Sequence, residues 1–170
     1  QLPIYFSYKG VDCKALMDLV VVHKDEDGNI IKIEPIDLKT MSGNTLQFMG
    51  KVKQHRYDIQ AAWYTKALAQ HFNFNEDKIE PFKFVVESTT SIGTPLVFEI
   101  TTGTLIHGRI GSPEGVFEAP GGRTLYYPKT KGFSQLMEDY VYYEEQGFKQ
   151  DKVLEDNPGI ISIDWTKGFN

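Results

Sequence analysis

The chain has 170 residues, 41% hydrophobic and 24% charged, proportions ordinary for a soluble globular protein and sufficient for one sizeable core. A formal net charge of −5 argues against coating nucleic acid by bulk attraction, and no apolar run approaches the roughly 20 residues of a membrane-spanning helix. With Cys13 alone, neither a disulfide framework nor a cysteine-ligated zinc or iron–sulfur site is available within the chain; a cytoplasmic location without a signal peptide is the expectation.

In chain order, "LPIYFSYKG" reads as a strand ending at Gly10. Residues 13–23 and 30–39 read as two strands of a hairpin, because the Asp-Gly-Asn tip at 27–29 lies between β-branched runs. Pro35, inside the second run, predicts an edge, a bulge or an irregular start. A helical region runs from Asn44, a cap residue, to Phe72, and Gly50 divides it into two helices. "FKFVVEST" and "PLVFEITTGTLIHGRI" read as β-rich, and the Gly and Pro density over 112–131 predicts loops and a short hairpin. The last helix, about 133–146, carries Phe133, Leu136, Met137, Tyr140 and Tyr143 at helical spacing, a core stripe, and Gly147 ends it. No repeat or low-complexity linker divides the chain. The expected class is α/β, bordering on α+β, with a mixed central β-sheet flanked by helices in a single domain over 1–170.

Within the predicted hairpin, Asp37 and Lys39 lie two apart in "IEPIDLKTMSG" and so share one face of the strand, roughly 6–7 Å apart along the backbone. An acid-x-Lys triplet should arise about twice by composition, and it occurs three times, so its setting must decide. Asp18 interrupts the apolar run before the turn, and the hairpin returns it to the height of Asp37. Two converging carboxylates repel unless a cation lies between them, and Mg²⁺ suits carboxylate oxygens. Lys39 could then position the attacking water or stabilise developing charge. An ion pair of Lys39 with either aspartate is the bland alternative. Further on, Gln60 and Tyr64 are four apart and share a helix face, with Tyr57, Ala61 and Leu68 nearby.

Asp18, then Asp37-Leu38-Lys39-Thr40, then Gln60-Ala61-Ala62-Trp63-Tyr64, in that order, resemble the PD-(D/E)XK nuclease superfamily, and its RecB-like branch above all. "CKALMD", "IDLKT" and "YDIQAAWY" are similar to phage-type recombination exonucleases related to exonuclease VIII (RecE-like). "FKFVVES" with "PLVFEI" resembles the later strands of that group, and "IISIDW" its usual ending. The resemblance extends over about 4–170, with specific motifs in the first 64 residues.

It implies a restriction-endonuclease-like core and a metal-dependent DNA exonuclease of phage-type recombination or repair. Asp18, Asp37 and the Leu38 backbone carbonyl would hold Mg²⁺ or Mn²⁺, Lys39 would orient the nucleophilic water, and Gln60 would support the lysine or that water. Tyr64 would contact the DNA backbone or brace the site. Linear duplex DNA with a free end, a homo-oligomer and a single-strand annealing protein are the implied partners. RecB-like enzymes usually carry a further ligand on a helix before the first strand, and Gln1 stands too close to that strand to include it. The glycine that often precedes the first aspartate is replaced by Ala15 as the nearest small residue. A non-catalytic DNA-binding or structural domain retaining the nuclease fold is the alternative from a different class, and a restriction or repair endonuclease is a third.

Lys51, Lys53, Arg56 and Lys66 against Asp58 give the helical region a local charge of +3, which makes Thr40, Lys53 and Arg56 the candidate nucleic-acid contacts. His23, His55, His71 and His107 show no metal-ligand spacing and read as surface or satisfied residues. Glu87 reads as structurally paired, and "EAPGGRT" as a turn.

Overall fold

A computed structural model describes residues 1–90, 93–119, 123–127, 129–145 and 147. The N-terminal hairpin pairs β1 (Leu2–Tyr8) with β2 (Val11–Met17). A four-stranded sheet follows, in the order β3 (Leu19–Lys24), β4 (Ile30–Met41), β5 (Lys83–Ser88), β6 (Leu96–Glu99). β4 and β5 are parallel and the other two pairings antiparallel, so the sheet is mixed. Helices α1 (Phe48–Gln54) and α2 (Tyr57–His71) connect β4 to β5, as a parallel pairing requires. α3 (Thr102–Ile110), the hairpin β7 (Gly115–Ala119) and β8 (Arg123–Tyr127), and α4 (Phe133–Glu145) complete the described chain. This is a mixed α/β fold. None of the described helices is long and apolar enough to cross a membrane.

The core lies between the inner face of the sheet and α2. Ile33, Phe82, Phe84 and Val86 meet Ala61 and Leu68, all at most 1% exposed. Ala61 and Ala67 make α2 thin enough to approach the strands closely, while Ala62 and Ala69 share the helix face of Asp58. A second close approach joins α2 to α3: a Cβ on Gly108 would lie 2.0 Å from the Asp58 carbonyl oxygen. On its other side α2 carries Trp63, packed between Phe6 at 4.8 Å and Phe133 at 5.4 Å between ring centroids.

Several sequence expectations are corrected. Residues 13–23 are not one strand: the chain bends at Asp18, so that β2 pairs with β1 and β3 with β4. Pro35 sits in an interior strand, not at an edge. The N–H and C=O of one strand residue point the same way; Ile33 and Met41 use theirs toward the β5 side, accepting from Glu80 and Thr89. Pro35 has their parity, and β5 begins pairing only at Ile36–Lys83, so the missing N–H removes no ladder bond.

The helical region breaks at Arg56, which adopts a left-handed conformation (φ 54°), while Gly50 lies inside α1 with open space around it. Residues 102–110 form a helix and not a strand, since Thr101 caps it by accepting the Thr104 N–H and Gly111 (φ 72°) stops it. Of the expected core stripe on α4 only Phe133 is buried; Leu136, Tyr140 and Tyr143 are 40–53% exposed. The helix packs on the body at its first turn, where Phe133 meets Tyr8 and Trp63, and Lys9 pairs with Glu138 further along. "EAPGGRT" falls in part, and "IISIDW" wholly, outside the described residues.

Candidate active site

β4 alternates strictly near its end: Ile33, Pro35 and Asp37 are buried and Leu38 and Thr40 exposed. Asp37 therefore enters the inner face with the core residues, only 3% exposed. Lys39 has the same parity and follows it toward α2. A buried carboxylate needs partners, and Asp37 has two. Its Oδ1 accepts the Gln60 amide N–H at 2.8 Å, and its Oδ2 lies 2.5 Å from the Lys39 ammonium. Gln60 also accepts from Lys39 through Oε1 at 3.1 Å. A single amide thus bridges acid and amine and fixes its own orientation, since only one of its two ends donates. Oδ2 has no exposed surface and, its ion pair aside, accepts no hydrogen bond of normal geometry.

Asp18 stands at the bend, one residue before the Leu19–Ile36 pair, and so opposite Asp37. Its Oδ2 accepts the Leu38 N–H at 3.0 Å and its Oδ1 the Gln1 side chain at 3.0 Å. Leu38 directs its carbonyl to the same side as its N–H, toward Asp18. Burial pushes the Asp37 carboxyl up; Lys39 pulls it back and the Asp18 charge adds to the rise. Asp18 is held low, first by Gln1 and then by the Leu38 N–H.

The ammonium of Lys39 has a third neighbour that the motif spacing does not mark. It lies 4.7 Å from the ring centroid of Tyr57 and 5.6 Å from that of Phe84. Tyr57 is three residues before Gln60, so both occupy one face of the first turn of α2, and that spacing was the available signal. Phe84 pairs in register with Asp37, which only the parallel β4–β5 pairing reveals. A cavity of about 260 Å³ opens beside Lys39, with Lys51, His55, Thr40 and Ser42 among its lining and no acidic residue.

Of the remaining candidates, Thr40 lines the cavity beside Lys39 and the others lie apart from the cluster. Tyr64 packs against Phe82 at 6.0 Å, one turn beyond Gln60. Thr40 and Glu87, paired in register, have the parity of the sheet's outer face. Lys53 lines a separate cavity of about 790 Å³ between α1 and α3, which shares no lining residue with the Lys39 cavity. Arg56 holds Asp58 with two nitrogens and donates to the Lys131 carbonyl, which engages its guanidinium in tying α2 to the loop before α4. Lys66 pairs with Glu76 at 3.6 Å. His23 meets Glu34 at 2.8 Å, His107 joins Thr130 to Asp58, and His55 and His71 pack on the rings of Tyr57 and Phe72.

Among the described residues no three acidic, histidine or cysteine side chains converge as a metal site. The donors at hand are the two carboxylates and the Leu38 carbonyl. That set fits an ion such as Mg²⁺, which takes one or two protein carboxylates and keeps several waters. The Oδ2 of Asp37, buried and engaged by the Lys39 ammonium alone, would share its charge with such an ion.

No family model matches the chain, and no curated protein matches it. Among solved structures it is similar to a protein from Eubacterium rectale described as "Putative exonuclease", at 23% identity and a TM-score of 0.45. The match covers 63% of this chain and 38% of that one.

Proposed function

We propose that the protein is a metal-dependent nuclease that hydrolyses phosphodiester bonds of DNA, with Asp18, Asp37, Lys39 and Gln60 at its site. The observation that carries this reading is the Gln60 amide, which binds Asp37 and Lys39 at once and sets them in one orientation. Asp18, Asp37 and the Leu38 carbonyl would hold Mg²⁺ or Mn²⁺. When bound, such an ion lowers the pKa of water and screens charge on the phosphate.

The chain's own residues do the rest. Asp37 anchors Lys39, and Gln60 prevents either from rotating away. Lys39 then presents an N–H to the incoming water or to a phosphate oxygen. In the reaction one P–O ester bond breaks; water gives its oxygen to phosphorus and a proton to the leaving oxygen. The cavity beside Lys39, free of carboxylates, suits the neighbouring DNA backbone. The finer reading, an exonuclease of phage-type recombination working from a free duplex end, as an oligomer and beside a single-strand annealing protein, rests on the motif resemblance.

A specific observation also favours a non-catalytic DNA-binding domain: Asp37 and Lys39 already neutralise each other at 2.5 Å. Linear and circular duplex DNA, incubated with the protein with and without Mg²⁺ or Mn²⁺, separate the readings. Metal-dependent release of nucleotides from linear DNA alone is the expected result; no cleavage with either metal sinks the nuclease reading.

A further inference from the structure

We propose that Tyr57 is a positioning residue for Lys39: its ring face holds the ammonium against Asp37 and Gln60 while the phosphodiester is cleaved, a role that rests on the nuclease reading above.

Lysine carries its charge on a flexible four-carbon stem with three donor directions and no preferred orientation of its own. The polar contacts of Lys39 are two, to Asp37 at 2.5 Å and to Gln60 at 3.1 Å. Two point contacts leave a rotation free, and the 260 Å³ cavity gives the ammonium somewhere to swing. The Tyr57 ring, 4.7 Å from Nζ, is within cation–π range and supplies a third contact. Phe84, at 5.6 Å, forms the other aromatic wall.

The ring is itself held rigidly. Tyr57 stacks on Phe48 at 5.6 Å with 22° between planes, and meets Phe84 at 5.5 Å with the rings tilted by 35°. Its backbone begins α2 directly after Arg56, whose left-handed conformation is secured by Asp58 and by the Lys131 carbonyl. Gln60 comes from the same helical turn, so ring and amide are placed as one unit. Among the described residues the Tyr57 hydroxyl makes no hydrogen bond, so the face of the ring and not the phenol does the holding. Phenylalanine should therefore serve in its place, and leucine, apolar but without a π face, should not.

The test combines a resonance with a rate. In protein labelled with ¹³C-lysine, the Lys39 ε-methylene signal is assigned by its loss in Lys39→Arg and read without metal. Expected is an upfield, ring-shifted position in the parent and in Tyr57→Phe, and a clearly smaller shift in Tyr57→Leu, where Phe84 alone remains. With Mg²⁺ and linear DNA, Tyr57→Leu should lose about ten-fold in kcat with KM within about two-fold, and Tyr57→Phe should keep kcat within about three-fold. An unshifted Lys39 signal in a parent that cleaves DNA overturns the role of Tyr57 alone, and this holds even where Tyr57→Leu does not fold. So does a Tyr57→Leu protein with parental kcat, or a Tyr57→Phe protein as slow as Tyr57→Leu. A shifted Lys39 signal in a parent that cleaves nothing overturns the nuclease reading, and the positioning role falls with it.

Discussion

The Asp18 carboxylate accepts the Leu38 N–H at 3.0 Å, two residues beyond Ile36, the last β4 position paired with β3. A side-chain oxygen takes the place of the ladder carbonyl that the bend removes, so the same group ends a strand and faces Asp37. Asp18→Asn keeps an acceptor for Leu38 and should hold stability within about 0.5 kcal/mol, whereas Asp18→Ala should cost about 1 kcal/mol. Both should lose metal-dependent cleavage. Urea denaturation and a cleavage assay on linear DNA check this, and parental cleavage by Asp18→Asn would remove Asp18 from the site.

Loss of Lys39 should not be neutral for folding, contrary to what a surface lysine would predict. The side chain is 20% exposed and faces a carboxylate that is 4% exposed. Lys39→Met leaves that carboxylate without its cation and should cost about 3 kcal/mol near pH 7. Burial already places the Asp37 carboxyl above its ordinary range, and losing Lys39 raises it further. The native state of the variant then holds the proton more tightly than the unfolded chain. Its deficit should be full above that raised pKa and shrink as pH falls toward about 4, the unfolded value. Adding Asp37→Asn to Lys39→Met should recover most of the loss; an additive double variant would contradict the pairing.

On the outer face of the sheet, Glu34 is held by Lys32 at 3.0 Å, Lys83 at 3.2 Å and His23 at 2.8 Å, which lower its pKa to about 2, Lys32 contributing most. The folded pKa is depressed, so the stability this carboxylate contributes is fully present above its unfolded value of 4.5 and is lost as pH falls toward about 2. The gap in urea midpoint between the parent and Glu34→Gln should be constant from pH 7 to 5.5 and close between 4.5 and 2. A gap that persists at pH 2 would assign the difference to packing.

Gly108→Ala should destabilise by about 1–3 kcal/mol, because its Cβ would lie 2.0 Å from the Asp58 carbonyl and α3 would have to move off α2. Alanine favours a helix over glycine by about 1 kcal/mol, so a net loss identifies the crossing as the cause. Thermal unfolding of the variant reads the sign, and a higher midpoint would contradict the close approach.

How much was legible beforehand divides along a physical line. Strand alternation alone put Asp37 and Lys39 on one face, and helical spacing alone put Tyr57, Gln60 and Tyr64 on another, because side-chain direction follows from local backbone geometry. The hairpin tip and the last helix were legible for the same reason, and the mixed sheet from the order of strands and helices. Tertiary structure decided where those faces meet. The strand breaks at Asp18 because β2 and β3 pair with different partners, which no local pattern records. The helix breaks at Arg56 and not at Gly50 because the guanidinium finds the Lys131 carbonyl, 75 residues away. β-branched residues at 101–110 argued for a strand, and the Thr101 cap with the packing of Gly108 on α2 overrode them. Whether Tyr64 or Tyr57 reached Lys39 depended on how α2 lies across β4, and that is set by the alanines that let it come close and by a core assembled from residues as far apart as Ile4 and Ile100.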